Sequence, residues 1–328
     1  VQAHWPPEEE IVTQLPSHVD IREVGPRDGL QIEAPISTAG KIRLLQALVA
    51  TGVRRIEATA FVSPRAVPAM ADAERIAEYV GTVPGVDWSG LVASPNGATR
   101  AIGSGLRTIE YVVSAADGHS WANARRSTQD AVDAVAEVAR IVHDAGGRLE
   151  VIIATAWDCP FDGPTDPQRT AGIGARALEL GADQLCFGDT IGTTTPARVW
   201  RLLDAVRAAI GGPGDGGADP VPLGAHFHNT RGTGIASAFA AVQAGIRHLD
   251  ASVGGLGGCP FAPGASGNIA TEELVYLLDD AGISTGVDLD AVLGAAAVAR
   301  ELVGHPLESN LFRAGGRNRP RPAPAGDR

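Results

Sequence analysis

His226 and His228, two apart in the run PLGAHFH, are the first residues whose types and spacing imply chemistry. The run reads as a strand, where side chains two apart share a face, so both imidazoles can meet one metal ion from a single strand. A lone interior histidine is more often a structural group hydrogen-bonded to nearby backbone. A same-face pair at a strand end, with an acid ending another strand, favours a metal instead. Asp28 in REVGPRDGLQ is that acid, and the small amide Asn268 can supply a further oxygen. Spacing leaves Mg, Mn, Co and Zn chemically open, so the residues alone predict a divalent metal cofactor without choosing it. His4, His18, His143, His248 and His305 have no comparable cluster and read as surface or structural groups.

Arg27, beside Asp28, admits a reading as half of a turn salt bridge; aimed inward, its guanidinium fork would neutralise charge developing on a carbonyl oxygen. Gln31 follows on the same turn. Glu57 and Thr59, two apart in VRRIEAT, are expected on one face of the second strand, with Glu57 placed to hold the Arg27 fork. The segment GGLGGCPFAPGASGN, 254 to 268, follows the last expected strand. Its glycines permit close backbone approach to a ligand, and Cys259 within it is expected on the active face. A thiol with an ordinary pKa of about 8.5 can return a proton to a carbanion or enolate. Cys159 is expected near the same mouth, whereas Cys186 lies within a strand and reads as packing.

These residues need elements to bring them together. VDIREV (19 to 24), VRRIEAT (53 to 59), VDWSGLV (86 to 92), RTIEYVVSA (107 to 115), RLEVIIATA (148 to 156), DQLCFGD (183 to 189), PLGAHFH (222 to 228) and RHLDAS (247 to 252) read as strands. Between them run segments with helical periodicity, among them TAGKIRLLQALVATG, TQDAVDAVAEVARIVHDAGG and TPARVWRLLDAVRAAI, most of them stopping at a glycine. Eight strands alternating with helices predict an α/β fold, a (β/α)8 TIM barrel with a short C-terminal helical extension, whose active site lies at the C-terminal strand ends. An open doubly wound sheet is the alternative, but no dinucleotide fingerprint follows the first strand. Residues 1–15 and 311–328 read as flexible tails around a single domain over 16–310. GGPGDGGADP (211 to 220) reads as a long loop before the seventh strand.

Composition bounds the partners. The 328 residues are 44% hydrophobic and 20% charged, which excludes a disordered or coiled-coil chain. Lys and Arg total 27 against 38 Asp and Glu, for a formal charge of -11, so nucleic acid is not an expected partner. Three scattered cysteines suit a reducing compartment, and no membrane-length apolar run is present. The expected setting is cytoplasmic, without a membrane partner.

The motifs VGPRDGLQ, IEATAFVSP, FGDTIG, HFH and GGLGGCPFAPGASGNIATE together resemble the 3-hydroxy-3-methylglutaryl-CoA lyase family, within the metal-dependent TIM-barrel lyase and synthase superfamily. The resemblance runs from about residue 18 to residue 304. It implies a barrel, commonly dimeric, with an acyl-CoA substrate and a divalent ion, Mg or Mn, held by Asp28, His226, His228 and Asn268. It also implies that Arg27 stabilises enolate charge, that Glu57 orients it, that Cys259 is the catalytic thiol of a loop, and that Asp189 of FGDTIG is a polar residue at the site. The implied reaction is cleavage of (3S)-3-hydroxy-3-methylglutaryl-CoA to acetoacetate and acetyl-CoA. The alternatives are a related lyase or synthase acting on another 3-hydroxyacyl-CoA or joining acetyl-CoA to a 2-oxoacid, and a non-catalytic metal or CoA-binding scaffold.

Two stretches depart from the family pattern. Where Asp-Thr-Tyr-Gly is usual, this chain has Asn229-Thr230-Arg231-Gly232, which removes an acid and adds a cation. In SAADGHSWANARRS, Asp117, His119 and the Arg125-Arg126 pair stand available for a different acyl group or for the CoA phosphates. The two arginines also fit a solvated helix start.

Overall fold

The computed structural model describes residues 15–212, 219–258 and 267–316. Eight strands form where the apolar runs predict them: β1 (Asp20–Glu23), β2 (Arg55–Phe61), β3 (Asp87–Val92), β4 (Thr108–Ser114), β5 (Arg148–Ala154), β6 (Gln184–Asp189), β7 (Leu223–Phe227) and β8 (His248–Ala251). They close into a ring in chain order, β8 pairing with β1. Every ladder of the ring is parallel. Closure decides for the TIM barrel over the open sheet. Parallel strands covered on both faces are largely apolar, and Ile109, Tyr111, Leu149, Val151, Ile153 and Phe187 are all buried.

A helix follows each strand, and the local chemistry of its start is explicit. Ser37, Ser94, Ser127 and Asp166 accept hydrogen bonds from the first-turn amides of the helices at Thr38–Val49, Pro95–Gly103, Thr128–Asp133 and Pro167–Glu179. Three differences from the sequence reading stand out. The helix expected through TQDAVDAVAEVARIVHDAGG is recorded as Thr128–Asp133 and Val135–Asp144, joined by Ala134 with helical angles of its own. SAADGHSWANARRS contains a helix, Asp117–Ala124, so Arg125 ends a helix instead of starting one. The extension continues past Leu289–Val303 into Asn310–Ala314, a helix that crosses the domain boundary expected at 310. Phe312 in that helix packs against the core beneath the Arg300 guanidinium. Residues 1–14, 213–218 and 317–328, which hold most of the expected tails and loop, lie outside the described residues.

The extension also touches the region that matters for chemistry. Ser309 N donates to Gly254 O at 3.2 Å, and buried Leu307 packs where a Cβ on Gly254 would be, only 2.4 Å from its Cδ1. Gly254 has φ +70°, so both space and backbone demand glycine there. The base of the glycine-rich segment therefore rests on the C-terminal extension. Leu307→Ala should cost about 2–5 kcal/mol of unfolding free energy, the usual range for a buried leucine truncation, read by urea denaturation. A loss below about 0.5 kcal/mol would contradict this packing.

Candidate metal centre and active site

The exit of β1 is a single π-helical turn, Gly25–Gly29. The Val24 carbonyl accepts from both Asp28 N at 2.8 Å and Gly29 N at 3.1 Å, which holds Arg27 and Asp28 buried side by side at the barrel mouth. Glu23 ties this turn to the exit of β8. Its Oε1 accepts from Gly25 N at 2.7 Å and Val253 N at 2.9 Å, and its Oε2 accepts from Thr271 Oγ1 at 2.6 Å. Burial pushes the Glu23 carboxyl up to about 7 despite those donors.

Asp28, His226 and His228 each offer a ligand atom, all within 4.8 Å of one another. Nε2 of both imidazoles stands 4.0 Å from Asp28 Oδ2. His226 and His228 lie on β7 and immediately after it, their ring centroids 5.1 Å apart, as the two-residue spacing predicts. Asn268 joins the group through Nδ2, which donates to Asp28 Oδ2 at 2.7 Å and to Leu256 O at 2.9 Å. Its Oδ1 is buried without a hydrogen-bond partner, an arrangement costly for an amide oxygen unless a ligand completes it. Gly257, at φ +123°, makes room: a Cβ there would sit 2.6 Å from Asn268 Nδ2. Burial, reinforced by His226, lowers His228 to about 4, so its ring is neutral at physiological pH, the form that binds metals. Burial alone would raise Asp28, but Arg27 and the two imidazoles outweigh it and hold the carboxyl below its ordinary range. Two imidazoles, a carboxylate and an amide oxygen form a donor set that fits a divalent cation.

Arg27 links this cluster to the barrel interior. Its Nη1 donates to Asp28 Oδ1 at 2.6 Å, and its Nε lies 2.7 Å from Glu57 Oε1, so Glu57 does hold the fork. Gln31 completes the turn, donating from Nε2 to Asp28 Oδ1 at 3.0 Å. Arg27, Asp28, Gln31, His226 and His228 open into a cleft of about 1060 Å³ with apolar walls from Phe61, Leu91, Val112 and Ile152. Arg125, Arg126 and His119 line the same cleft. Arg126 is anchored to Ala93 O at 2.9 Å, and His119 Nδ1 lies 2.7 Å from Ser114 Oγ. The two non-glycine residues described with left-handed backbone are Arg125 at φ 56°, which ends the Asp117–Ala124 helix, and Thr155 at φ 54°, directly after β5. Such strain concentrates at functional sites.

Other expected site residues lie elsewhere. Thr59 does not share a face with Glu57, because β2 carries a register irregularity between them, and its hydroxyl contacts Met70 Sδ at 3.8 Å. Asp189 turns into its own loop, accepting from Thr193 N at 2.9 Å and Thr194 N at 3.1 Å; it shapes the β6 exit and does not line the cleft. Cys159 is buried in a small hairpin, Asp158–Cys159 against Gly163–Pro164, away from the cleft lining. Cys186 is buried in β6 as expected, with Sγ 4.0 Å from Asp250 Oδ2. Asp117 caps the next helix by accepting from Thr128 N at 2.7 Å. Asn229 Oδ1 accepts from Gly234 N at 3.2 Å, and exposed Arg231 donates to Ile191 O at 2.7 Å, so the departure from the family pattern pins the β6 and β7 exits together. Cys259 lies outside the described residues.

Sequence reasoning missed the charged layer beneath the site: Arg22 of β1, Glu110 of β4, Glu150 of β5 and Asp250 of β8. A signal was present, since each is a charge inside a run otherwise suited to a buried parallel strand. The donors above it converge on one point, with a guanidinium beside them, where oxygen-rich substrate groups could be gathered.

Residues 18–298 match the family described as HMGL-like. The chain is 38% identical over 308 residues to (R)-citramalyl-CoA lyase of Chloroflexus aurantiacus, spanning 90% of this chain and 95% of that protein. It is 40% identical over 276 residues to hydroxymethylglutaryl-CoA lyase of Pseudomonas mevalonii, spanning 84% of this chain and 89% of that protein. Among solved structures, an HMG-CoA lyase from Acinetobacter baumannii in complex with coenzyme A and 3-methylmalate superposes with a TM-score of 0.87 at 36% identity, covering 94% of this chain and 98% of that one.

Manganese titrated into metal-free protein should bind at one site per chain. His228→Ala should weaken it by more than the roughly 10- to 100-fold typical of an outer-shell loss. Gly257→Ala should weaken it as well, through the displaced Asn268 amide. Calorimetry reads both, and unchanged affinity in a folded His228→Ala protein would contradict the site.

Proposed function

The chain belongs to the HMGL-like family, and from that premise we propose that it is a divalent-metal-dependent carbon–carbon lyase cleaving (3S)-3-hydroxy-3-methylglutaryl-CoA to acetyl-CoA and acetoacetate. The observation that carries this reading is the convergence of Asp28, His226 and His228 within 4.8 Å beside the Arg27 fork. Asp28, His226, His228 and Asn268 would hold the ion, Mg or Mn. Bound there, it would supply Lewis-acid chemistry that makes the hydroxyl of a hydroxy acid easier to deprotonate.

The chain's own residues then account for the charge that moves. As the hydroxyl proton passes to solvent, from which the donor thiol is reprotonated at the end of the cycle, the oxygen's electron pair forms the ketone of acetoacetate and the adjacent carbon–carbon bond breaks. Its electrons pass to the thioester as an enolate. Arg27 is placed to stabilise that enolate, and Glu57, paired to Nε, fixes the direction of the fork. The Cys259 thiol, proposed from its sequence motif, returns a proton to the enolate carbon and completes acetyl-CoA. Gln31, Arg125 and Arg126, which line the cleft, are proposed contacts for the acyl-CoA substrate. Asp189, accepting from two loop amides, holds the geometry of the β6 exit. The reading includes a homodimer, which sedimentation equilibrium reads directly.

One observation favours a second substrate: the similarity to the citramalyl-CoA lyase, 38% identity over 90% of the chain, is comparable to that to the Pseudomonas mevalonii hydroxymethylglutaryl-CoA lyase, 40% identity over 84%. A panel of 3-hydroxy-3-methylglutaryl-CoA, longer 3-alkyl homologues and citramalyl-CoA, compared by kcat/KM with Mg or Mn, decides between them. The highest value for 3-hydroxy-3-methylglutaryl-CoA is expected, and a preference for citramalyl-CoA would replace the substrate while keeping the chemistry. Arg27→Gln should lower kcat by about 100-fold or more, the scale of losing one preorganised electrostatic donor. Near-normal kcat with weakened substrate binding would reassign Arg27 to binding.

A further inference from the structure

A buried ionic layer crosses the barrel beneath the metal cluster. Arg22 grips Asp250 with two contacts, Nε to Oδ1 at 2.8 Å and Nη2 to Oδ2 at 2.9 Å. The same guanidinium reaches Glu110 Oε1 at 2.7 Å and Glu150 Oε1 at 2.9 Å. All four side chains are at most 6% exposed. Such a layer is a poor device for stability, since apolar side chains of similar volume commonly do as well or better. Barrel interiors are ordinarily filled by branched aliphatic residues. The layer therefore calls for another explanation, and its upper end supplies one.

Asp250 Oδ2 lies 3.0 Å from His226 Nδ1. The strand register makes this contact a direct consequence of the fold: Arg22 is the ladder partner of Asp250, and Asp250 that of His226. A carboxylate accepts only, so Nδ1 presents its N–H to Asp250, and Nε2 is the nitrogen turned to Asp28's side of the cluster. No carboxylate pairs in this way with Nδ1 of His228 among the described residues.

We propose that Arg22 is a positioning residue for the metal centre: its planar fork fixes the Asp250 carboxylate, which in turn fixes the orientation and tautomer of His226. The inference rests on the metal site proposed above. The fork supplies what a point charge does not, because two parallel contacts set the plane of the carboxylate as well as its place. Glu110 and Glu150 hold the guanidinium from the opposite strands, so the set cannot rotate without unpairing a buried charge.

The test uses the full chain, stripped of metal, with Mn2+ alone as the probe. Asp250→Ala and Arg22→Lys should each weaken Mn2+ binding by about 10- to 100-fold, the range for losing an outer-shell partner, while saturating Mn2+ restores much of the turnover. Unchanged affinity in folded Asp250→Ala overturns the inference, and so does lost turnover that excess Mn2+ leaves unrestored while affinity is intact. Nitrogen-15 imidazole spectra of the wild-type protein, with His226 assigned by His226→Gln, need no destabilised variant. A proton on Nδ1 supports the relay and a proton on Nε2 overturns it. Wild-type protein that binds no Mn2+ at all would instead overturn the metal centre, and this inference with it.

Discussion

Three ligand atoms from two ends of the chain are forced to face one another across less than 5 Å, and the rest of the structure is arranged to make that tolerable. Water cannot solvate such a buried cluster freely, so each polar atom needs a partner or a cation. Arg27 meets one oxygen of Asp28 and Asn268 the other. His226 is backed by Asp250, and Asp250 by Arg22. The eightfold closure is what lets β1, β7 and β8 contribute to one point, and the glycine at 257 lets backbone approach without displacing Asn268.

Much of this was legible from residue types. The eight strands were readable as short apolar runs because strands covered on both faces admit few polar residues, and the spacing of His226 and His228 carried directly into shared direction. The pairing of Arg27 with Glu57 was also anticipated. What was not legible depended on register or on competition for hydrogen bonds. A local irregularity in β2 sends Thr59 to Met70, which no alternation rule reveals. Asp189 sits in a motif suggestive of chemistry, yet two loop amides claim its oxygens. The helix at Asp117–Ala124 was hidden because its glycine, asparagine and serine residues carry weak helical signal. The charges of Arg22, Glu110, Glu150 and Asp250 were visible in the strands, but their mutual pairing needs the closed barrel.

The division of labour that emerges is vertical. The floor of the barrel holds a fixed ionic layer; above it the two imidazoles and Asp28 converge, and Arg27 stands between that cluster and Glu57. The C-terminal extension supports the base of the glycine-rich segment through Leu307 and Ser309. Catalytic charge stabilisation of this kind depends on groups that do not reorganise during the reaction, and burial among paired charges provides that rigidity.

The most direct measurement of the central claim is anomalous diffraction from crystals grown with Mn2+. The account predicts one strong manganese peak within coordination distance of Asp28 Oδ2, His226 Nε2 and His228 Nε2, with Asn268 Oδ1 turned towards it. A peak at any other set of residues, or none at saturating Mn2+, would contradict it.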